Sequence, residues 1–167
     1  MYIESVVSDN FAENTWIIGN KKIDEAIIID PGASYDKITK KLDKLDLTPL
    51  MILNTHLHPD HLFSARELQK FYKIPLMTHL KEKQLFDMFD QIIQMLGLNN
   101  IARPEVERWL EDEEILDQKD IRIKVIHTPG HSPGSCCFLV NDLHLFTGDT
   151  VFSGSIGRTD LPLGSSR

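Results

Sequence analysis

The run Leu50-Met51-Ile52-Leu53-Asn54-Thr55-His56-Leu57-His58-Pro59-Asp60-His61 decides how this chain is read. Residues 50–53 are continuously apolar, which suits a buried strand, and Asn54-Thr55 lead out of it. In an extended segment positions i and i+2 face the same way. His56 and His58 therefore grip one ion from one side while Leu57 points into the fold. Pro59 suits the start of a helix, bringing Asp60 and His61 to its opening turn, where they reach a second ion beside the first. Imidazole with carboxylate is the ligand set of zinc, iron or manganese.

Two more strand ends carry matching chemistry. In Thr128-Pro129-Gly130-His131-Ser132-Pro133-Gly134, two Pro-Gly pairs bracket His131 and fix a rigid loop after a predicted strand over 121–126. His131 supplies the third imidazole one ion needs. Thr147-Gly148-Asp149-Thr150 follows a predicted strand over 144–146. Gly148 permits close backbone approach, and the two oxygens of Asp149 suit a bridge between paired cations.

Around these ends strands and helices alternate. Short apolar strands are expected over 2–7 and 15–18, with Asp9, Asn10 and Glu13 between them. The β-branched run 26–29 stops at Asp30-Pro31-Gly32, a turn signal, and Ser34 is placed to cap a helix over 35–45. Next come a helix over 61–72, a strand over 74–77 and an amphipathic helix over 81–96 that Gly97 ends. The acid-rich stretch 103–120 reads as a solvated connection, and 136–140 as a strand. No repeat or linker divides the chain, so one layered α/β or α+β domain over 1–167 is expected.

Composition bounds the partners. The chain has 167 residues with 41% hydrophobic and 26% charged, the profile of a folded globular protein. Its net charge of −7 argues against nucleic acid or an anionic membrane, both of which need a basic footprint. No apolar run approaches the roughly 20 residues of a membrane span, and the opening Met-Tyr-Ile-Glu-Ser lacks signal-peptide character. The only cysteines, Cys136 and Cys137, are neighbours whose side chains alternate in a strand. They suit buried, reduced thiols in a cytoplasmic protein. His79, His127 and His144 read as structural. Arg158 is the basic residue of its loop, placed either to meet an acidic substrate or to pair with Asp160.

Taken in order, Asn14-Thr15-Trp16, Ile29-Asp30-Pro31-Gly32, the H-x-H-x-D-H segment, T-P-G-H-S-P-G-S, G-D-T and G-S-I-G-R-T-D resemble the metallo-β-lactamase superfamily, and within it the glyoxalase II-like hydrolases. The resemblance implies a four-layer αββα sandwich with two divalent ions at one edge, zinc first among the candidates. Carried across by motif, His56, His58 and His131 hold the first ion, Asp60 and His61 the second, and Asp149 bridges. A hydroxide between the ions attacks a carbonyl, and Asp60 orients it. The family carries a further histidine in a later Pro-Gly-His-Gly segment, whereas no histidine follows His144 here. The expectation is therefore a domain cut short at its C-terminal end, with a mononuclear or weakly occupied second site.

The implied activity is hydrolysis of a small-molecule thioester of the acylglutathione type. The nearest alternative is a persulfide dioxygenase, with one iron held by His56, His131 and Asp149. A third reading is an inactive metal-binding remnant. True β-lactamases of this fold generally lack the bridging aspartate, and an RNA-processing role would want a basic groove.

Overall fold

β-Branched residues are half of the first three strands, β1 (Tyr2–Val7), β2 (Asn14–Asn20) and β3 (Glu25–Ile29). These pair antiparallel in sequence order. Helix α1 (Tyr35–Leu45), with Ser34 as its N-cap residue and Ile38 and Leu42 buried, carries the chain to β4 (Thr48–Asn54). β4 lies parallel to β3 with Leu53 beside Ile29, a pairing that requires such a crossover. Residues 26–29 and 51–54 are all buried, so burial does not alternate along either run. Each isoleucine or leucine buried this way contributes about 1.5–3 kcal/mol.

The computed structural model describes residues 1–9, 11–98 and 101–166; Asn10, read as part of the first polar break, and Arg167 lie outside them. Past β4 several expected boundaries move. A 3-10 turn occupies Pro59–His61, and α2 covers only Ala65–Tyr72. The N–H groups of His61 and Leu62 bond to carbonyls three residues back, a tighter winding than the α-helix expected from residue 61. β5 (Leu76–His79) starts after Pro75, which has no N–H to give to a ladder.

A second 3-10 turn, Leu80–Glu82, leads into α3 (Lys83–Asp87) and α4 (Phe89–Met95). The single amphipathic helix expected over 81–96 is thus two, parted at Met88. Of its apolar stripe only Leu85, Phe89 and Ile92 are buried, whereas Leu96 is 57% exposed.

The acidic stretch 103–120 is not simply a connection. It holds β6 (Arg108–Leu110) and β7 (Ile115–Gln118), because the buried Leu110 and Leu116 outweigh the acids flanking them. β8 (Ile121–His127), β9 (Cys136–Val140) and β10 (His144–Phe146) lie where expected. The hairpin of β11 (Val151–Phe152) and β12 (Ser155–Ile156) is additional.

One sheet has the order β1-β2-β3-β4-β5-β6 and another β10-β9-β8-β7. The residues gather into two compact units. The first comprises Met1–Asn54, His58–Met77 and Met88–Arg108. Within it α1 packs against β1, α2 against β4, and α4 approaches the Pro59–His61 turn. The second comprises Thr55–Leu57, Thr78–Asp87 and Trp109–Arg167. Its β8 alternates, burying Ile121, Ile123 and Val125 while Arg122 is exposed, and Phe138 and Val140 of β9 complete the core. Cys136 and Cys137 are buried free thiols. Among the described residues no helix is long and apolar enough to cross a membrane.

Candidate metal centre

The H-x-H-x-D-H segment is shared between the units: His56 belongs to the second, and His58, Asp60 and His61 to the first. In the second unit His56 meets the two downstream candidates. Ligand atoms of His56 lie within 4.8 Å of those of His131 and of Asp149. The His56 and His131 rings meet edge-on with centroids 4.7 Å apart, and His131 Nε2 stands 3.4 Å from Asp149 Oδ2. Both imidazoles are held from behind. His131 Nδ1 faces the carbonyl of Arg158 at 2.9 Å, and His56 Nδ1 faces the Thr55 hydroxyl at 3.1 Å. Such anchoring presents Nε2 as the metal-facing nitrogen of each ring.

Local structure explains why these side chains converge. The Cys136 N–H bonds to the Thr55 carbonyl at 2.9 Å, joining the start of β9 to the His56 loop. Thr128 and Thr150 join their hydroxyls at 2.9 Å, which ties the His131 and Asp149 loops together. Gly148 has a φ of 48° and lies against Thr55, so a side chain there would be both strained and blocked. The close approach expected of Gly148 is therefore present, and its partner is Thr55.

The first unit carries the other candidate residues. His58 is buried in extended backbone, and the 3-10 turn behind it carries Asp60 and His61. His61 Nδ1 lies 3.1 Å from Asp30 Oδ2, and its Nε2 3.8 Å from Asp60 Oδ2. Asn54 braces this arrangement by donating to Asp30 Oδ1 at 3.2 Å and to the His61 carbonyl at 2.9 Å. Glu13 is buried beside them, and burial pushes its carboxyl up to about 9. His61 opposes that shift, as does the Thr15 hydroxyl, while the charges of Asp30 and Asp60 add to it.

Asp30, Asn54 and Glu82 escaped the sequence reading as working residues. Asp30 was legible only as a turn former. Its available signal is an acid placed immediately after the apolar run 26–29, as Asn54 is placed after the apolar run 50–53. Glu82 carried no signal, being one acid in a mixed helical run. It is fully buried, and burial raises its carboxyl against the opposing hydrogen bonds of Ser132, Leu57 and Gly134.

The remaining candidates resolve individually. The Arg158 guanidinium forms a two-pronged pair with Asp160 at 2.7 and 2.8 Å, and its carbonyl serves His131. His79 and His127 stack on each other with centroids 4.0 Å apart, so neither is isolated. His144 is half-buried at the start of β10.

A family model described as the metallo-beta-lactamase superfamily matches residues 9–167. The chain belongs to the metallo-β-lactamase superfamily. It is 35% identical over 167 residues to the hydroxyacylglutathione hydrolase GloC of Haemophilus influenzae, covering 98% of this chain and 78% of that protein. Among solved structures, the B3 metallo-beta-lactamase BLEG-1 superposes with a TM-score of 0.87 at 31% identity, covering 98% of this chain and 79% of that one. TTHA1623 in a di-iron-bound form gives 0.84 at 30% identity, covering 97% and 79%. The architecture is accordingly the mixed α+β metallo-β-lactamase fold. Superfamily members bind divalent metals and are generally hydrolytic enzymes. The residues present fit such an ion. Two anchored imidazoles and a carboxylate already gather within one unit, a donor set suited to zinc or iron.

Proposed function

We propose that this chain is a metal-dependent hydrolase of the glyoxalase II-like type, cleaving a small-molecule thioester such as an acylglutathione. The observation that carries this reading is the convergence of His56, His131 and Asp149, in a chain 35% identical to a hydroxyacylglutathione hydrolase. In this reading His56, His58 and His131 hold the first ion, Asp60 and His61 the second, and Asp149 serves both. A divalent ion supplies Lewis acidity toward a carbonyl and lowers the pKa of bound water from about 15.7 toward about 7. The Asp60 side chain is 29% exposed, enough to take a hydrogen bond from an attacking water and orient it. Thr55, Arg158 and Asp30 hold their imidazoles in the orientation that ligation requires. Arg158 meets an acidic thiol carrier by releasing Asp160, an exposed pair that solvent screens.

Zinc is the first candidate metal, ahead of iron and manganese, and the second site is the weaker. Two tightly held ions per chain on metal analysis would contradict that ranking. The reading includes one domain over 1–167 and a cytoplasmic setting, supported by the two free buried thiols. The net charge of −7 supports a partner that is neither nucleic acid nor membrane.

A second reading, a persulfide dioxygenase, is favoured by one specific observation. His56, His131 and Asp149 form a two-histidine, one-carboxylate set within a single unit, the donor pattern of mononuclear iron oxygenases. The metal-reconstituted protein assayed anaerobically against S-lactoylglutathione separates the two. Thioester cleavage is expected. No turnover, together with oxygen uptake on glutathione persulfide, would overturn the hydrolase in favour of the dioxygenase. Neither activity would leave the remnant reading.

A further inference from the structure

One carboxylate in the second unit touches both ligand-bearing loops. Glu82 ends the 3-10 turn after β5 and is completely buried. Its Oε2 accepts the Leu57 N–H at 2.8 Å. That amide belongs to the peptide plane joining His56 to Leu57. Its Oε1 accepts the Ser132 hydroxyl at 2.6 Å and the Gly134 N–H at 2.7 Å, on the two sides of Pro133 in the His131 loop. Ser132 is itself buried and tied to Ser135 through their hydroxyls at 2.7 Å. A Cβ at Gly134 would run into the Glu82 backbone, so the loop comes this close only with glycine there.

We infer that Glu82 is a positioning residue for the metal, fixing the spacing and angle of the His56 and His131 imidazoles by clamping the two loops that carry them. The inference rests on the metal-dependent reading proposed above. The covalent frame accounts for its reach. A carboxylate is planar and rigid, so its two oxygens stand at a fixed separation, and a loop bound to each is held at that separation. Three donors converge on it, and all three belong to residues one to three positions from a ligand histidine. No other acid would serve from that position after shortening: aspartate lacks the methylene needed to span both loops.

The isosteric amide tests the clamp without altering volume. In Glu82→Gln either orientation of the amide turns its NH2 group against a backbone N–H, that of Leu57 or that of Gly134. Two donors then face each other, and one side of the clamp opens. Zn(II) alone is the probe, titrated into the full chain by chelator competition, with the melting temperature of the metal-free protein measured in parallel. Glu82→Gln is expected to weaken Zn(II) binding by about 10–100-fold, the range for groups that orient metal ligands. Ser132→Ala, which removes one of the three donors, is expected to weaken it by about fivefold. With Co(II) as a second probe, the visible absorption of the Glu82→Gln protein should shift, reporting an altered ligand angle.

Wild-type affinity and an unchanged Co(II) spectrum in both variants would overturn the inference, even if their melting temperatures fell, because the role would then be structural only. If Glu82→Gln fails to fold, Ser132→Ala decides the matter by the same criterion. Failure of the unmodified chain to bind Zn(II) would instead overturn the metal-dependent reading itself.

Discussion

His61 and His131 face opposite kinds of group at Nδ1. In the first unit the partner is the Asp30 carboxylate, braced by Asn54; in the second it is the neutral main-chain carbonyl of Arg158. A carboxylate behind an imidazole both orients it and raises its basicity as a ligand, whereas a carbonyl orients it without adding charge. The surroundings differ in the same sense. Glu13, Asp30 and Asp60 crowd His61, while Asp149 and the buried Glu82 are the acids near His131. At the imidazole itself, one candidate half is therefore backed by side-chain charge and the other by a main-chain carbonyl. That difference decides which substitutions each half tolerates.

The largest expected effect is common to both halves. His131→Ala removes a ligand outright, and Zn(II) affinity should fall by more than the roughly 100-fold typical of supporting residues. Thioester cleavage should fall with it, measured on the metal-loaded protein. Asp30→Asn keeps the shape but removes the charge behind His61. It should weaken metal binding by about 10–100-fold, read by competition titration; wild-type affinity would erase the distinction drawn between the halves.

A pH effect independent of either half comes from the His79–His127 stack. Burial pushes His79 down to about 4, helped by the charges of His127 and Lys81 and opposed by Asp112. The unfolded imidazole takes a proton near 6.5 and the folded one only near 4. Stability should therefore fall as pH drops from 6.5 toward 4, and urea unfolding across that window should show a shallower slope for His79→Phe. The smallest effect completes the contrast with Asp30. Arg158→Ala removes an exposed ion pair but keeps the carbonyl that holds His131, so Zn(II) affinity should change by less than about twofold. A loss as large as that of Asp30→Asn would show that the side chain, not the main chain, supports the ring.

Local chemistry made much of this legible in the sequence. The three strand-end clusters lie where His56, His131 and Asp149 meet, and the apolar runs 26–29 and 50–53 mark β3 and β4. What stayed hidden depends on distant parts of the chain. Glu82 reads as one more charge in a helical segment, since nothing local indicates that Leu57, Ser132 and Gly134 will surround it. Asp30 reads as a turn because its partner His61 lies beyond a helix and a strand. The break at Met88 escaped for a related reason: the apolar stripe runs through it, and only tertiary packing distinguishes the buried Phe89 from the exposed Leu96. Residues 103–120 were misread because net acidity masked the few apolar positions that form β6 and β7.

The parallel register of β3 and β4 has a consequence for how the protein matures. Ile29 pairs with Leu53, so Asp30 and Asn54 emerge together at one edge of the sheet, the first residue past each strand's last paired position. A slip of one residue would turn the side chains of β4 to the wrong faces and separate the aspartate from its brace. Parallel pairing also waits on closure of the α1 crossover, a slow step compared with forming a hairpin. The carboxylate behind His61 is thus in place only after the strands have been correctly zipped.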